Sequence, residues 1–330
     1  VKTDKRLATL VAIAFAFALT ACDEKKADDR KADDRKADEP TEQTDNKRSE
    51  NEAVSVESYE KALDALDATK LDASKTATEK YLALADDASN EERDALFSAF
   101  YRFYRKNLDN VAYLEFLTDS EREAIRRHFN QQYGDPEGER VWGDLEATPF
   151  KPVFRWKELS LEEDVVWMRE TFRGKLGPAS KEFVEYLAFK EENNTHDTDD
   201  ETALRLANVE ERLAYTSGIM ERHPDFGLNA VLEFDYIGAF LAYLAPYENR
   251  DMSYGVTKYN PGTSILTPEM EKLARKFVEN HPGTRAAEQV GEFVRMIVAN
   301  GREFQGEPSA YVDKLVERQS VLYHQFNEVE

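Results

Sequence analysis

The sequence predicts an all-α fold, built either as an irregular multi-helix bundle or as a short α-solenoid of helical hairpins, with long aromatic-rich loops. Three observations carry this. Apolar residues recur at helical spacing from about residue 54 onward. Helix-start and helix-stop signals punctuate that pattern at intervals. No sustained period-two run with hairpin turn signals interrupts it; the best strand candidate is Val153-Phe154-Arg155-Trp156. Composition narrows the class further. The chain has 330 residues and a single Cys, which excludes a disulfide framework. Its 66 Asp+Glu against 44 Lys+Arg run opposite to the basic excess of a nucleic-acid binder.

The elements follow in order. Ser89-x-x-Glu92 forms a capping-box pattern, in which the Ser oxygen and the Glu carboxylate each satisfy a free first-turn N–H. Behind it the stripes 97/101/104/108 and 96/100/103 make a wide apolar arc of Phe, Tyr and Leu. Ser120-x-x-Glu123 and Ser160-x-x-Glu163 predict two further helix starts, the second leading into Val165, Trp167, Met168 and Phe172. Thr267-Pro268 reads as N-cap and first helical residue, because Pro loses nothing there. Asn300-Gly301 reads as a stop. Pro308 opens a last helix with Tyr311, Leu315, Gln319, Leu322 and Phe326 on one face. The count is ten to twelve helices between 54 and 330. Two stretches, 133–160 and 246–267, are rich in Gly, Pro and aromatics and exceed an ordinary helix connection of about 2–8 residues. Function is expected there.

An internal echo points to helical hairpins. Ile219-Met220-Glu221-Arg222-His223-Pro224 matches Phe277-Val278-Glu279-Asn280-His281-Pro282 in pattern. In each, Pro ends a helix by pushing the preceding residue out of the α region. The following Gly283-Thr284-Arg285-Ala286-Ala287-Glu288 resembles the second helix of the tetratricopeptide-like hairpins found in periplasmic lipoproteins. Two ordinary joints that share a stop signal explain the echo as well, and the lack of a persistent 34-residue period favours them.

The N-terminus reads as an address. Lys2, Lys5 and Arg6 precede an apolar run over 7–21, too short for a span of about 20 residues. The run ends Leu19-Thr20-Ala21-Cys22, which resembles the lipobox of bacterial lipoproteins. That resemblance implies cleavage after residue 21 and acylation of Cys22, and hence a lipid-anchored protein on the extracytoplasmic face of the cell membrane. Asp23, at the position after the lipidated Cys, points to the inner membrane where the enterobacterial retention rule holds. Residues 22–53 then form a charged spacer with a near-tandem Lys-Ala-Asp-Asp-Arg repeat, unable to bury apolar surface against chain entropy. The domain plan is therefore signal peptide 1–21, lipidated Cys and spacer 22–53, and helical domain 54–330. Residues 1–21 carry +2 and the spacer -4, so the helical domain holds -20 of the net -22.

Motifs that carry chemistry mostly fail. The histidines 128, 196, 223, 281 and 324 form no zinc-binding pair. No Gly-rich phosphate loop and no Gly-x-Ser-x-Gly elbow occur. Asp197-Thr198-Asp199-Asp200-Glu201 lacks the Gly and Glu an EF-hand loop needs. No cofactor and no metal is expected. The remaining candidates are aromatic and acidic: Trp142, Trp156 and Trp167, and the group Asp235, Tyr243, Glu248, Tyr254 and Tyr259. Such side chains line grooves for glycans or cationic peptides, and equally fill cores. Two expectations follow. The first is a non-catalytic binding or scaffold domain with a protein or cell-envelope partner and no nucleic acid. The second is an envelope hydrolase or lyase that works on glycan or peptide through two carboxylates in an aromatic-lined cleft.

Overall fold

The computed structural model describes residues 55–130, 134–155, 158–193, 206–245, 258–260 and 263–327. The lipobox with Cys22 and the spacer lie outside the described residues, as do Trp156, Glu248 and Tyr254. The chain divides into Val1–Asn51 and Glu52–Glu330. Among the described residues of the second unit there are twelve helices and one two-stranded sheet, so the class is all-α. The order is α1 (Val56–Asp64), α2 (Ala73–Ala85), α3 (Asn90–Val111), α4 (Asp119–Asn130), α5 (Pro136–Glu146), β1 (Phe150–Arg155), β2 (Glu158–Glu163), α6 (Val165–Thr171), α7 (Pro178–Glu192), α8 (Leu206–Arg222), α9 (Asn229–Leu244), α10 (Pro268–Asn280), α11 (Arg285–Ala299) and α12 (Glu307–Asn327).

Local chemistry sets the helix ends. At α3 both halves of the Ser89–Glu92 capping box are present. Thr267 caps α10 through Met270 N–H with Pro268 just inside, and Thr284 caps α11 in the same way. Asn300 ends α11, and Gly301 follows at φ +68°, a left-handed conformation that suits glycine. The expected start at Ser120 is displaced. Thr118 is the residue that exchanges hydrogen bonds with Glu121, so α4 begins two residues earlier than the Ser-x-x-Glu spacing suggested.

The expected helix start at Ser160 is wrong. Ser160 and Glu163 lie in β2, antiparallel to β1, with Phe150 opposite Glu163 and Val153 opposite Ser160. Leu159 and Leu161 alternate with polar neighbours, and that period-two pattern outweighs a four-residue capping match. Asp164 is the true cap of α6, accepting Trp167 N–H at 2.8 Å. The strand expected around Val153 is present but begins at Phe150. Residues 133–160 are correspondingly not one long loop, since they hold α5 and β1. Of the other expected loop, the described part is bridged, with Tyr259 opposite Leu266 and Ile265 opposite Glu303.

α3 organises the first half. Its arc of Leu96, Phe97, Phe100, Tyr101, Phe103, Tyr104 and Leu108 is buried, and it packs on α1, α2, α7 and β2. Phe172 enters this centre at 5.4 Å from Phe97 and 4.8 Å from Phe100, and Tyr101 meets Phe183 of α7 at 4.8 Å. Each fully buried ring contributes roughly 1.5–3 kcal/mol. The second half pairs α8 with α9 and α10 with α11, each pair joined at one of the two His-Pro stops, and α12 lies against α9 and α11. α7 and α8 join the two halves.

Candidate functional site

The sequence-selected candidates do not form one site. Trp142 packs on Phe129 at 4.8 Å and donates its indole N–H to Glu146 at 2.7 Å. Trp167 belongs to another ring cluster, stacked on Tyr104 with planes 9° apart. Tyr243 is buried in α9 and donates to Glu210 at 2.7 Å. Tyr259 is buried and donates to the Leu244 carbonyl at 2.6 Å. Both tyrosines thus act as core side chains with satisfied hydroxyls. His223 faces Glu182, and the His281 ring lies on Phe277 at 4.6 Å.

Asp235 is the exception. It sits in the middle of α9, only 8% exposed, and its Oδ2 accepts from Tyr186 at 2.9 Å and from Lys190 Nζ at 2.8 Å. Tyr186 and Lys190 are one turn apart on α7, so both project from one helix face toward α9. A second carboxylate, Glu163, enters the same neighbourhood from the end of β2. Tyr101 and Arg105 of α3 face it, with Lys190 and Asp235 beyond. Arg212 of α8 adds a guanidinium next to Tyr186. Five elements therefore converge on one polar interior.

Its electrostatics are uneven. Glu163 is partly exposed as a residue, but its Oε1 is sealed from solvent and has no hydrogen-bond partner among the described residues. Burial pushes its carboxyl above the usual value, and the nearby Asp235 charge adds to that; Arg105, Lys190 and the Tyr101 hydroxyl pull the other way without cancelling it. Burial, reinforced by Glu163, also raises Tyr101 and Tyr104, and burial with the Asp235 charge raises Tyr186. Arg212 Nε is likewise buried without a partner among the described residues.

The sequence signals for this cluster are of a different kind from catalytic motifs. In β2, Leu159, Leu161 and Glu163 share one face by strand alternation, so Glu163 follows two apolar side chains inward. On α7, Lys190 continues the apolar line Phe183, Tyr186, Leu187; on α9, Asp235 lies between Leu232 and Ala239. A charge on an apolar stripe is the common mark.

A second feature is open to solvent. α10 and α11 flank a groove of about 560 Å³ lined by Val278, Pro282, Ala287 and Gly291 together with the charged Glu288, Glu292 and Arg295. Gly283 forms the turn at φ +75°, a conformation costly for any other residue. Among the described residues no helix is long and apolar enough to cross a membrane, and no group of three or more His, Cys, Asp or Glu gathers as a metal site. Comparison with protein-family models, curated proteins and solved structures finds no match to this chain.

Proposed function

We propose that this chain is a lipid-anchored envelope protein whose acidic helical body binds a partner without catalysing a reaction. The α10–α11 groove is the observation that carries the reading. Its lining is mostly apolar, it carries Glu288 and Glu292 four residues apart beside Arg295, and the body as a whole is strongly acidic. Such a groove suits an apolar segment flanked by basic side chains. Cys22 and the spacer supply the tether, on the strength of the lipobox resemblance and the charge pattern. The hydrolase reading fits the interior cluster less well. The carboxylate oxygen of Glu163 without a partner is sealed, and Asp235 is engaged by Tyr186 and Lys190.

Two measurements test it. Cys22→Ser is expected to abolish palmitate labelling and leave uncleaved precursor; labelling that persists in that variant removes the anchor. For the groove, a short Leu/Lys amphipathic peptide is titrated against the full chain and compared with its Leu/Glu counterpart. Binding of the Lys peptide alone is expected. Gly291→Phe is expected to weaken that binding at least about tenfold, because a Cβ there meets Val278 at an ordinary 3.5 Å and a ring would fill the groove. Equal binding of the two peptides, or binding indifferent to Gly291→Phe, counts against the groove.

A further inference from the structure

The base of the β-hairpin is tied to the end of α7 by one ion pair and lies beside a second. On the outside, Lys151 of β1 meets Glu191 at 2.6 Å. On the inside, the neighbouring Lys190 bonds Asp235 at 2.8 Å and faces Glu163 of β2. The strand register puts Phe150 opposite Glu163 and Lys151 opposite Glu162, so the Lys151–Glu191 pair and Glu163 lie at the same end of the hairpin. The peptide next to Glu163 is held as well, since Asp164 N–H donates to the Tyr104 hydroxyl at 3.0 Å. Within this arrangement Glu163 Oε1 is sealed without a hydrogen-bond partner among the described residues.

We propose that the hairpin base is a proton-operated latch, in which Glu163 takes up a proton as the hairpin seats against α3 and α7 and releases it as the hairpin loosens. The inference is independent of the groove and of the anchor. Charged and titratable groups from several elements face Glu163. α3 supplies Tyr101, Tyr104 and Arg105, α7 supplies Lys190, α9 supplies Asp235, and Asp164 follows in the chain. The two cations offset an ionised Glu163 only in part. Arg105 is 44% exposed and also pairs with Asp109, while Lys190 is already committed to Asp235. An ionised carboxylate with a sealed, unbonded oxygen beside a second carboxylate is costly, whereas the neutral acid is tolerated. Because the seated state holds this carboxyl above its ordinary value, its stabilisation is complete below the ordinary glutamate pKa and is lost as pH rises through the raised one.

In sequence Trp142 lies in α5, just before the hairpin, Trp156 between its two strands, and Trp167 in α6, just after it, so intrinsic fluorescence reports on the hairpin. The experiment titrates the full chain from acid to mildly alkaline pH, following tryptophan emission and the ¹³C carboxyl shifts of labelled glutamate. One glutamate is expected to titrate above the ordinary range, with an emission change at the same midpoint. Both signals should vanish in Glu163→Gln. Arg105→Gln, which removes a half-exposed cation, should keep the fold and move the shared midpoint to higher pH. The latch is overturned if no glutamate titrates above the ordinary range. It is equally overturned if the emission change survives Glu163→Gln, or if Arg105→Gln leaves the midpoint in place. Should Glu163→Gln fail to fold, the wild-type coincidence and the Arg105→Gln shift decide the matter.

Discussion

Asn107 spends its entire hydrogen-bonding capacity inside the protein. It is fully buried on α3. Its Oδ1 accepts from Ser74 N–H at 3.1 Å and from Ser74 Oγ at 2.6 Å, and its Nδ2 donates to the Ala68 and Lys70 carbonyls at 2.6 and 2.9 Å. One amide thus fixes the turn between α1 and α2 and the start of α2. Removing it strands a buried N–H and two carbonyls, each of which costs about 1–3 kcal/mol when left unsatisfied. Asn107→Ala is expected to lower the unfolding free energy by about 2–4 kcal/mol. Asn107→Asp should cost more at neutral pH, since a carboxylate oxygen would then face two carbonyls, and should recover in part in acid. Urea titrations of the three proteins measure this, and a change below about 0.5 kcal/mol for the Ala variant would mean that the network relaxes freely. Nothing in the local sequence marks this residue, because an Asn beside an apolar stripe reads as surface. Its role comes from a loop brought back over α3.

Whole elements show where local signals hold and where they are overridden. The box at Ser89 was legible because both partners lie within four residues and nothing competes for them. The identical spacing at Ser160 misled because Leu159 and Leu161 already commit the segment to a strand. The cap of α7 was invisible for another reason: it comes from a different helix. Gly177 offers no side chain, and Asp94 of α3 accepts instead from Ala179 N–H at 3.2 Å and Ser180 N–H at 2.8 Å. A Cβ on Gly177 would come within 2.4 Å of Asp94 Oδ1, so the glycine leaves room for the borrowed cap. Asp94→Ala is therefore expected to cost about 1–2 kcal/mol, like the loss of an in-sequence cap. Ser160→Ala, which would matter as much if Ser160 capped a helix, should stay within about 0.5 kcal/mol. Thermal melts of the two variants side by side measure the difference. Because α7 carries Tyr186 and Lys190, the same borrowed cap also steadies the interior cluster. That cluster carries no local motif because its members lie on five elements and meet only in the fold.

At the scale of the whole molecule, one charge imbalance meets two kinds of electrostatics. Residues 53–330 carry -20, so like charges repel across the folded surface. Against this stand close ion pairs, several of them partly sheltered. Glu271, 12% exposed, is gripped by Arg275 and Arg302, both at 2.9 Å. Burial works to raise Glu271, but these two arginines hold it below the usual range. A carboxyl held low contributes stability above its unfolded pKa and loses it as pH falls through the folded value, which is the opposite sign to Glu163. Salt separates the two effects without changing protonation. The Debye length shrinks from roughly 20 Å near 0.02 M salt to about 4 Å near 0.5 M, which erases repulsion across the surface but weakens sheltered contact pairs far less. Exposed pairs such as Lys61–Glu57 contribute little at the outset, so their loss costs little. The melting temperature at pH 7 is therefore expected to rise with sodium chloride over this range, by several degrees for each ~2 kcal/mol of relieved repulsion. Potassium chloride should act alike, since the effect is screening and not site binding. A melting temperature that falls with salt would mean that the ion pairs outweigh the net charge. A rise much steeper with magnesium or calcium chloride at matched ionic strength would mean that the acidic surface takes up divalent ions.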